Sequence, residues 1–206
     1  ASNLKFVRDR LNGDEAGLQA IESTAERVDD MRQLLLTLSG FTRPARPRYE
    51  IGDIHEVLRG AVNFIAHDAE ARRIQLAVSF APEKLECEMD VRIVKQVMLN
   101  LLKNAMEAMP DGGRLEVRTR SVAVDEDAPA SAVVEVADTG MGIAAEDLRK
   151  VFRPLYSTKP TGAGLGLSFC RQAIQEHGGE IHLTSRQGSG TTVTLSIPVR
   201  QATFNQ

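Results

Sequence analysis

The chain has 206 residues, 42% of them hydrophobic, with 25 Lys+Arg against 28 Asp+Glu and a formal net charge of −3. That balance excludes the broad basic field that nucleic acid or an anionic lipid surface selects. Cys87 and Cys170, the two cysteines, lie too far apart for a disulfide framework or a metal cluster and fit a reducing, cytoplasmic compartment.

Aromatic residues are 4% of the chain and Trp is absent, so the core has to be aliphatic. No stretch approaches the roughly 20 apolar residues of a spanning helix, and no signal peptide opens the chain. The fragment therefore carries no membrane segment, although a longer parent protein could still be anchored.

From the N-terminus, residues 14 to 41 read as one helix after the Asn12-Gly13-Asp14 turn. Leu18, Ile21, Ala25, Val28, Met31, Leu35 and Leu38 recur at steps of three or four, close to a coiled-coil seam. The stripe suits either a dimerising bundle or a helix packed on its own domain. Leu4 to Leu11 reads as the tail of a preceding helix, giving an incomplete antiparallel hairpin. Thr42 to Pro47, broken by Pro44 and Pro47, is a stiff linker. The expected boundary divides a helical segment, 1–45, from a mixed domain, 46–206.

In the second part, Asp53 and Glu56 mark a helix start, and Ile54, Leu58, Ala61 and Ile65 form its apolar stripe. Ile74 to Phe80 alternates as a strand, Asp90 to Met109 is a second helix, and Arg114 to Val122 is a half-solvated strand. Asp125 to Ala130 is an acidic loop and Val133 to Ala137 a short buried strand. Leu165 to Gln175 is a third helix stopped by Gly178-Gly179, and Glu180 to Ser185 and Thr191 to Pro198 close the sheet. The fold class is α+β, with helices packed on one face of a mixed sheet.

Three constellations carry chemistry. On the second helix, Asn100, Asn104 and Glu107 are spaced four and three apart and share a face bordered by Lys103, while Val94, Val97, Leu101 and Ala105 form the buried side. Asn is a poor helix former, and amide oxygen suits Mg²⁺, a hard cation; alone, the stripe fits solvent exposure as well. Next, a buried strand delivers Asp138 into Thr139-Gly140-Met141-Gly142-Ile143. A carboxylate accepts hydrogen bonds and can read an adenine amine, and the glycines let backbone approach a flat ring; an ordinary Asp-bearing turn shares this pattern. Third, Ser157-Thr158-Lys159-Pro160-Thr161-Gly162-Ala163-Gly164-Leu165-Gly166-Leu167 leads into a helix whose N-terminal amides attract phosphate, with Lys159 beside them. It is neither a Rossmann fingerprint nor a Walker loop, and by itself it also fits a flexible loop.

In this order the motifs, spanning residues 48 to 199, resemble the N, G1, F and G2 boxes of the histidine-kinase branch of the GHKL ATPase/kinase superfamily. The Ser-Thr-Lys run and the Asn-Ala-Met-Glu-Ala-Met stretch are similar to its nitrogen-regulation subgroup. The resemblance implies a Bergerat ATP-binding α/β sandwich preceded by a dimerisation-type helix, with ATP and Mg²⁺ as ligands. It maps the Mg²⁺-coordinating Asn to Asn104 and the first N-box position to Asn100. Asp138 becomes the adenine reader, with Gly140, Gly142 and Ile143 shaping its pocket. Gly162, Gly164, Leu165 and Gly166 become the phosphate loop. Phe152 and Tyr156 match the F box, residues 143 to 163 the ATP lid, and Thr191 a water-mediated adenine contact.

Two positions depart from the pattern. Glu107 stands where many members carry Lys or His, and Ser157 stands where many carry Arg, which leaves Lys159 to meet phosphate charge. The superfamily's ATPases carry a water-activating Glu four residues before the Mg²⁺ Asn; here that position is Asn100, whose amide takes no proton. The resemblance thus implies phosphoryl transfer to a protein rather than to water.

None of His55, His67, His177 and His182 sits in an acceptor-His motif. All four read as structural or solvated, His177 at a helix C-terminus where a cation would be favoured. The helix over 14–41 resembles the second helix of a dimerisation hairpin, so the acceptor helix is expected upstream of Ala1 or is lacking naturally. The implied partners are a response-regulator receiver domain and a second copy of the chain through the hairpin. The competing expectations are a degenerate kinase that binds nucleotide or regulator without transfer, and a serine kinase of the anti-sigma type.

Overall fold

The computed structural model describes residues 47–122, 130–159 and 163–199, together with Gly17 and Thr24, both helical. The chain divides into two units, Ala1–Ala45 and Arg46–Gln206, and the architecture below is that of the second. The expected seam from Leu18 to Leu38, most of the linker, nearly all of the acidic loop, and Pro160, Thr161 and Gly162 lie outside the described residues.

The order of elements is β1 (Glu50–Asp53), α1 (Ile54–Ala71), β2 (Ile74–Ser79), β3 (Glu86–Met89), α2 (Val91–Glu107), β4 (Gly113–Val122), β5 (Ser131–Asp138), α3 (Gly166–Glu176), β6 (Glu180–Arg186) and β7 (Gly190–Pro198). Five strands form a sheet in the order β2-β4-β5-β7-β6, parallel at β2–β4 and antiparallel elsewhere. The three helices and the main strands follow the sequence pattern within a residue or two. The antiparallel pair β1–β3 does not. Each has four residues, too few for a period-2 pattern to register.

Sheet register explains the layering. Cross-strand partners share a face, so Val117, Val136, Val193 and Leu183 form one row across β4, β5, β7 and β6. Thr119, Val134, Leu195 and Ile181 form the next. These rows meet Leu58, Ile65, Met98, Leu102 and Ile174 from the helices in one core. The alternate residues Arg114, Arg118 and Arg120 are exposed and pair with Glu116 or Glu135. One sheet face is therefore covered by helices and the other is charged.

Buried histidines tie the layers together. His55 stacks on Phe80 and bonds Thr119 Oγ1 at 2.9 Å. His177, the C-cap of α3, is structural, as expected. Its Nδ1 donates to Ala173 O at 2.7 Å, because a carbonyl can only accept. Its Nε2 accepts from the Asp90 N–H at 3.0 Å. With one ring nitrogen donating and the other accepting, the imidazole is a neutral cross-link between α3 and α2 rather than the cation its helix-end position would favour.

Asp90 is the N-cap of α2, accepting from Arg92 N and Ile93 N and also from Arg48 N. Burial pushes its carboxyl up, but the Arg48 and Ile93 amides and the Arg92 guanidinium outweigh burial and hold it below its ordinary value. A folded-state value below the unfolded one means stability that is present above the unfolded aspartate value and lost as pH falls through the folded one. Asp90→Ala is expected to cost about 1–2 kcal/mol at neutral pH. In urea titrations that cost should shrink on acidification below about pH 4, where the native side chain loses the same interaction.

Candidate nucleotide site

The site follows from the last row of the helix-facing side of the sheet. In register beyond Val117–Val136–Val193–Leu183 come Leu76, Leu115, Asp138, Thr191 and Ser185, one from each strand. The row is apolar on β2 and β4 and polar on β5, β7 and β6. A carboxylate thus occupies what would otherwise be a core position, one step past the buried Val136.

That placement has an electrostatic cost, met by backbone donors. Asp138 Oδ1 accepts from Gly140 N at 2.8 Å and Thr191 N at 3.2 Å. Burial nevertheless raises the Asp138 carboxyl above its ordinary range, against the pull of those two amides and the positive charge of Lys159. Both donors converge on Oδ1, which leaves Oδ2 for a donor from outside. Asp138, Ser185 and Thr191 line a hollow of about 340 Å³ with Thr184, Ser189 and Gly190.

The turn after Asp138 is wedged between two elements. Met141 N donates to Ala108 O at the end of α2, and Met141 O accepts from Gly188 N in the β6–β7 turn. Close approach dictates the glycines. A Cβ at Gly140 would lie 2.3 Å from Ala108 O, and one at Gly142 (φ +65°) would lie 2.1 Å from Arg186 O. Ile143 N donates to Ser185 Oγ at 2.9 Å.

The second helix brings the remaining residues to the same end. Asn104 is half-buried, and a Cβ on Gly166 would lie 3.8 Å from its Nδ2, so the N-box amide faces the start of α3. The Leu165 N-cap makes no side-chain capping bond, so the first N–H groups of α3 remain for an anion. Gly164 lies against the Leu155–Tyr156 backbone. Asn100 is buried, with Oδ1 accepting from Gln96 and Nδ2 without a hydrogen-bond partner beside the Cys170 thiol. It faces the α2–α3 interface rather than solvent. Burial pushes the Cys87 and Cys170 thiols up to about 12, which removes both as nucleophiles.

Lys159 pairs with Glu107, joining the segment before α3 to α2. One departure from the family pattern, Glu107, thus pairs with the lysine left to meet phosphate charge where the other, Ser157, offers none. The Tyr156 hydroxyl donates to Asp147, and the Lys150 ammonium lies 5.7 Å from its ring centroid, so Tyr156 is tied within the segment 144–156. Phe152 packs on the core under the Arg171 guanidinium. Gly162 is outside the described residues. Sequence reading missed Ser185; a lone Ser in a strand carries no signal, and only the register opposite Thr191 reveals it.

A second hollow of about 360 Å³, lined by Tyr49, Glu88, Glu176, His177, Pro198 and Val199, lies away from these residues. Its charged lining is acidic, which disfavours a phosphate.

Residues 89–201 match the family model of histidine kinase-, DNA gyrase B-, and HSP90-like ATPases. The chain belongs to that family. It is 34% identical to the sensor histidine kinase ZraS of Klebsiella oxytoca over 95% of this chain and 41% of that protein. It is 30% identical to sporulation kinase E of Bacillus subtilis over 96% of this chain and 26% of that protein. The chain therefore spans well under half of either relative. Among solved structures, the catalytic domain of histidine kinase ThkA superposes with a TM-score of 0.66 at 29% identity, covering 74% of this chain and 96% of that one. The mixed sheet with its helices is thus the ATP-binding architecture of histidine kinases. Among the described residues, no helix is long and apolar enough to cross a membrane.

Gly142→Ala is expected to destabilise the domain by about 2 kcal/mol or more in chemical denaturation, because the added Cβ meets backbone in a left-handed turn. Gly188→Ala provides the comparison: its φ is +77° but a Cβ there meets nothing within 4 Å, so it should lose the smaller, purely conformational amount.

Proposed function

We propose that residues 46–206 bind Mg-ATP and act as the catalytic core of a sensor histidine kinase. The γ-phosphoryl group would pass to a His outside residues 1–206 and from there to the Asp of a response-regulator receiver domain. In the full-length protein, a second copy of the chain would pair through the helical hairpin. The observation that carries the reading is the convergence on the C-terminal half of α2 of an amide, a lysine, an uncapped helix start and a buried carboxylate turn.

The donor set fits the ligand. Asp138 Oδ2 accepts from the adenine amine while Oδ1 stays fixed by Gly140 and Thr191. The first amides of α3 face the phosphates. The Asn104 amide oxygen is a hard ligand of the kind Mg²⁺ takes, and Mg²⁺, when bound, neutralises charge on the phosphate oxygens. Lys159 pairs with Glu107 and would exchange that carboxylate for a phosphate oxygen when nucleotide binds. Asn100 offers no proton acceptor where a hydrolase would activate water, and its burial against α3 keeps it out of reach of bulk solvent. Phosphoryl transfer then rests on positioning and charge neutralisation.

Asn104→Ala should abolish measurable Mg-ATP binding by calorimetry while leaving the melting curve near that of the parent chain; full affinity in that variant sinks the proposal. With labelled ATP and a separate His-bearing helix, label that is acid-labile on the helix is expected. Acid-stable label would indicate a hydroxyl acceptor, and binding without transfer a degenerate kinase.

The Asp138 carboxyl titrates above its ordinary range, so its effects on folding and on binding have opposite signs. Its protonated form favours the fold: that contribution is complete below the unfolded value of about 3.9 and is lost as pH rises through the folded one. Base recognition needs the ionised form. Nucleotide affinity should therefore fall as pH is lowered from about 7 toward 4, beginning above the range of an ordinary aspartate. Asp138→Asn should bind weakly with a flat profile in the same calorimetric series.

A further inference from the structure

The residue opposite Thr191 fixes which hydrogen-bonding groups the base pocket can recognise. Ser185 Oγ has one proton and room for two incoming donors. Its three contacts use all of them. Gly190 O, at 2.8 Å, can only accept, so it takes the Ser185 proton. Ile143 N, at 2.9 Å, can only donate, so it fills one lone pair. The remaining contact, to Thr191 Oγ1 at 2.9 Å, must then have Thr191 as donor.

The consequence lies one atom further out. With its proton spent on Ser185, Thr191 Oγ1 can present only lone pairs to the hollow. Asp138, its neighbour in the same sheet row, presents only lone pairs as well in the ionised form that base recognition uses. The two polar side chains that β5 and β7 contribute to the row are thus both acceptors. Such a pair matches a ligand edge carrying N–H donors and opposes one carrying a carbonyl.

We infer that Ser185 is a positioning residue for nucleotide specificity: by accepting the Thr191 proton it leaves Thr191, like Asp138, presenting lone pairs to the base, which favours a 6-amino purine over a 6-oxo purine. The inference rests on the nucleotide-binding reading above and deepens it. Ser185 touches the base only through Thr191. Removing its hydroxyl frees the Thr191 proton to turn toward a 6-oxo group, so discrimination falls without loss of the pocket.

The test compares binding of Mg-ATP and Mg-inosine triphosphate, which differ in the amine or oxygen at C6, to the 206-residue chain. The parent chain should prefer ATP. Ser185→Ala should cut that preference by about tenfold, the scale of one mispaired polar contact, and Ser185→Thr, which keeps the hydroxyl, should restore it. A role confined to stability would lower both affinities together and leave their ratio unchanged, and that result overturns the inference. If Ser185→Ala does not fold, Thr191→Val carries the test. With Ser185 intact it should lose the same preference, and an unchanged ratio there is equally fatal. Asp138→Asn separates the two levels. If that variant binds ATP as tightly as the parent chain, the nucleotide-site reading itself fails. If it binds weakly while Ser185→Ala keeps the parent ratio, only the assignment of Ser185 falls.

Discussion

The arrangement depends on a carboxylate being held at the edge of an aliphatic core. Asp138 sits one same-face step, two residues, beyond the buried Val136 row, where an unpaired charge would be costly. The Gly140 and Thr191 amides that secure it come from the turn after β5 and the start of β7. A single oxygen therefore ties together the two segments that form the pocket and leaves its twin free. Hydrogen bonds to charged groups are stronger than neutral ones, and this one makes the turn and the hairpin a unit.

From that point order spreads in both directions. The turn docks through Met141 on Ala108 and on the β6–β7 hairpin. The C-terminal half of α2 thereby becomes the hub: it anchors the turn at Ala108 and Lys159 at Glu107, and its Asn104 faces the start of α3. At its other end α2 is fixed by Asp90, whose backbone amide is read by the neutral His177 of α3. A helix clamped at both ends is a suitable platform for a site whose working parts lie on loops. The segment before α3, by contrast, holds α2 through the exposed Lys159–Glu107 pair. Such a pair is weak in water.

Much of the fold was legible because its elements are long and periodic. The stripe Ile54-Leu58-Ala61-Ile65, the capping Asp53 and the alternation of β4 name their structures without tertiary help. The four-residue strands β1 and β3 were not legible. The state of His177 was also hidden, since a helix-end position argues for a cation and only the approach of the Asp90 amide makes it an acceptor. Glu107 read as an anomaly until the sheet and helices brought Lys159 to it.

The sequence by itself determined the chemistry available: amides on one helix face, an Asp leading into Gly-x-Gly, and glycines before a helix, in an order that points to one family. These are local properties, set by spacing along a helix or a turn. The tertiary structure decided the rest because sheet register has no counterpart in local sequence. Nothing near Ser185 predicts that it faces Thr191, or that a row beginning with Leu76 and Leu115 turns polar at Asp138. Only the pairing of five strands, each fixed by its own buried face, brings those side chains into one line and settles which of them donates its proton.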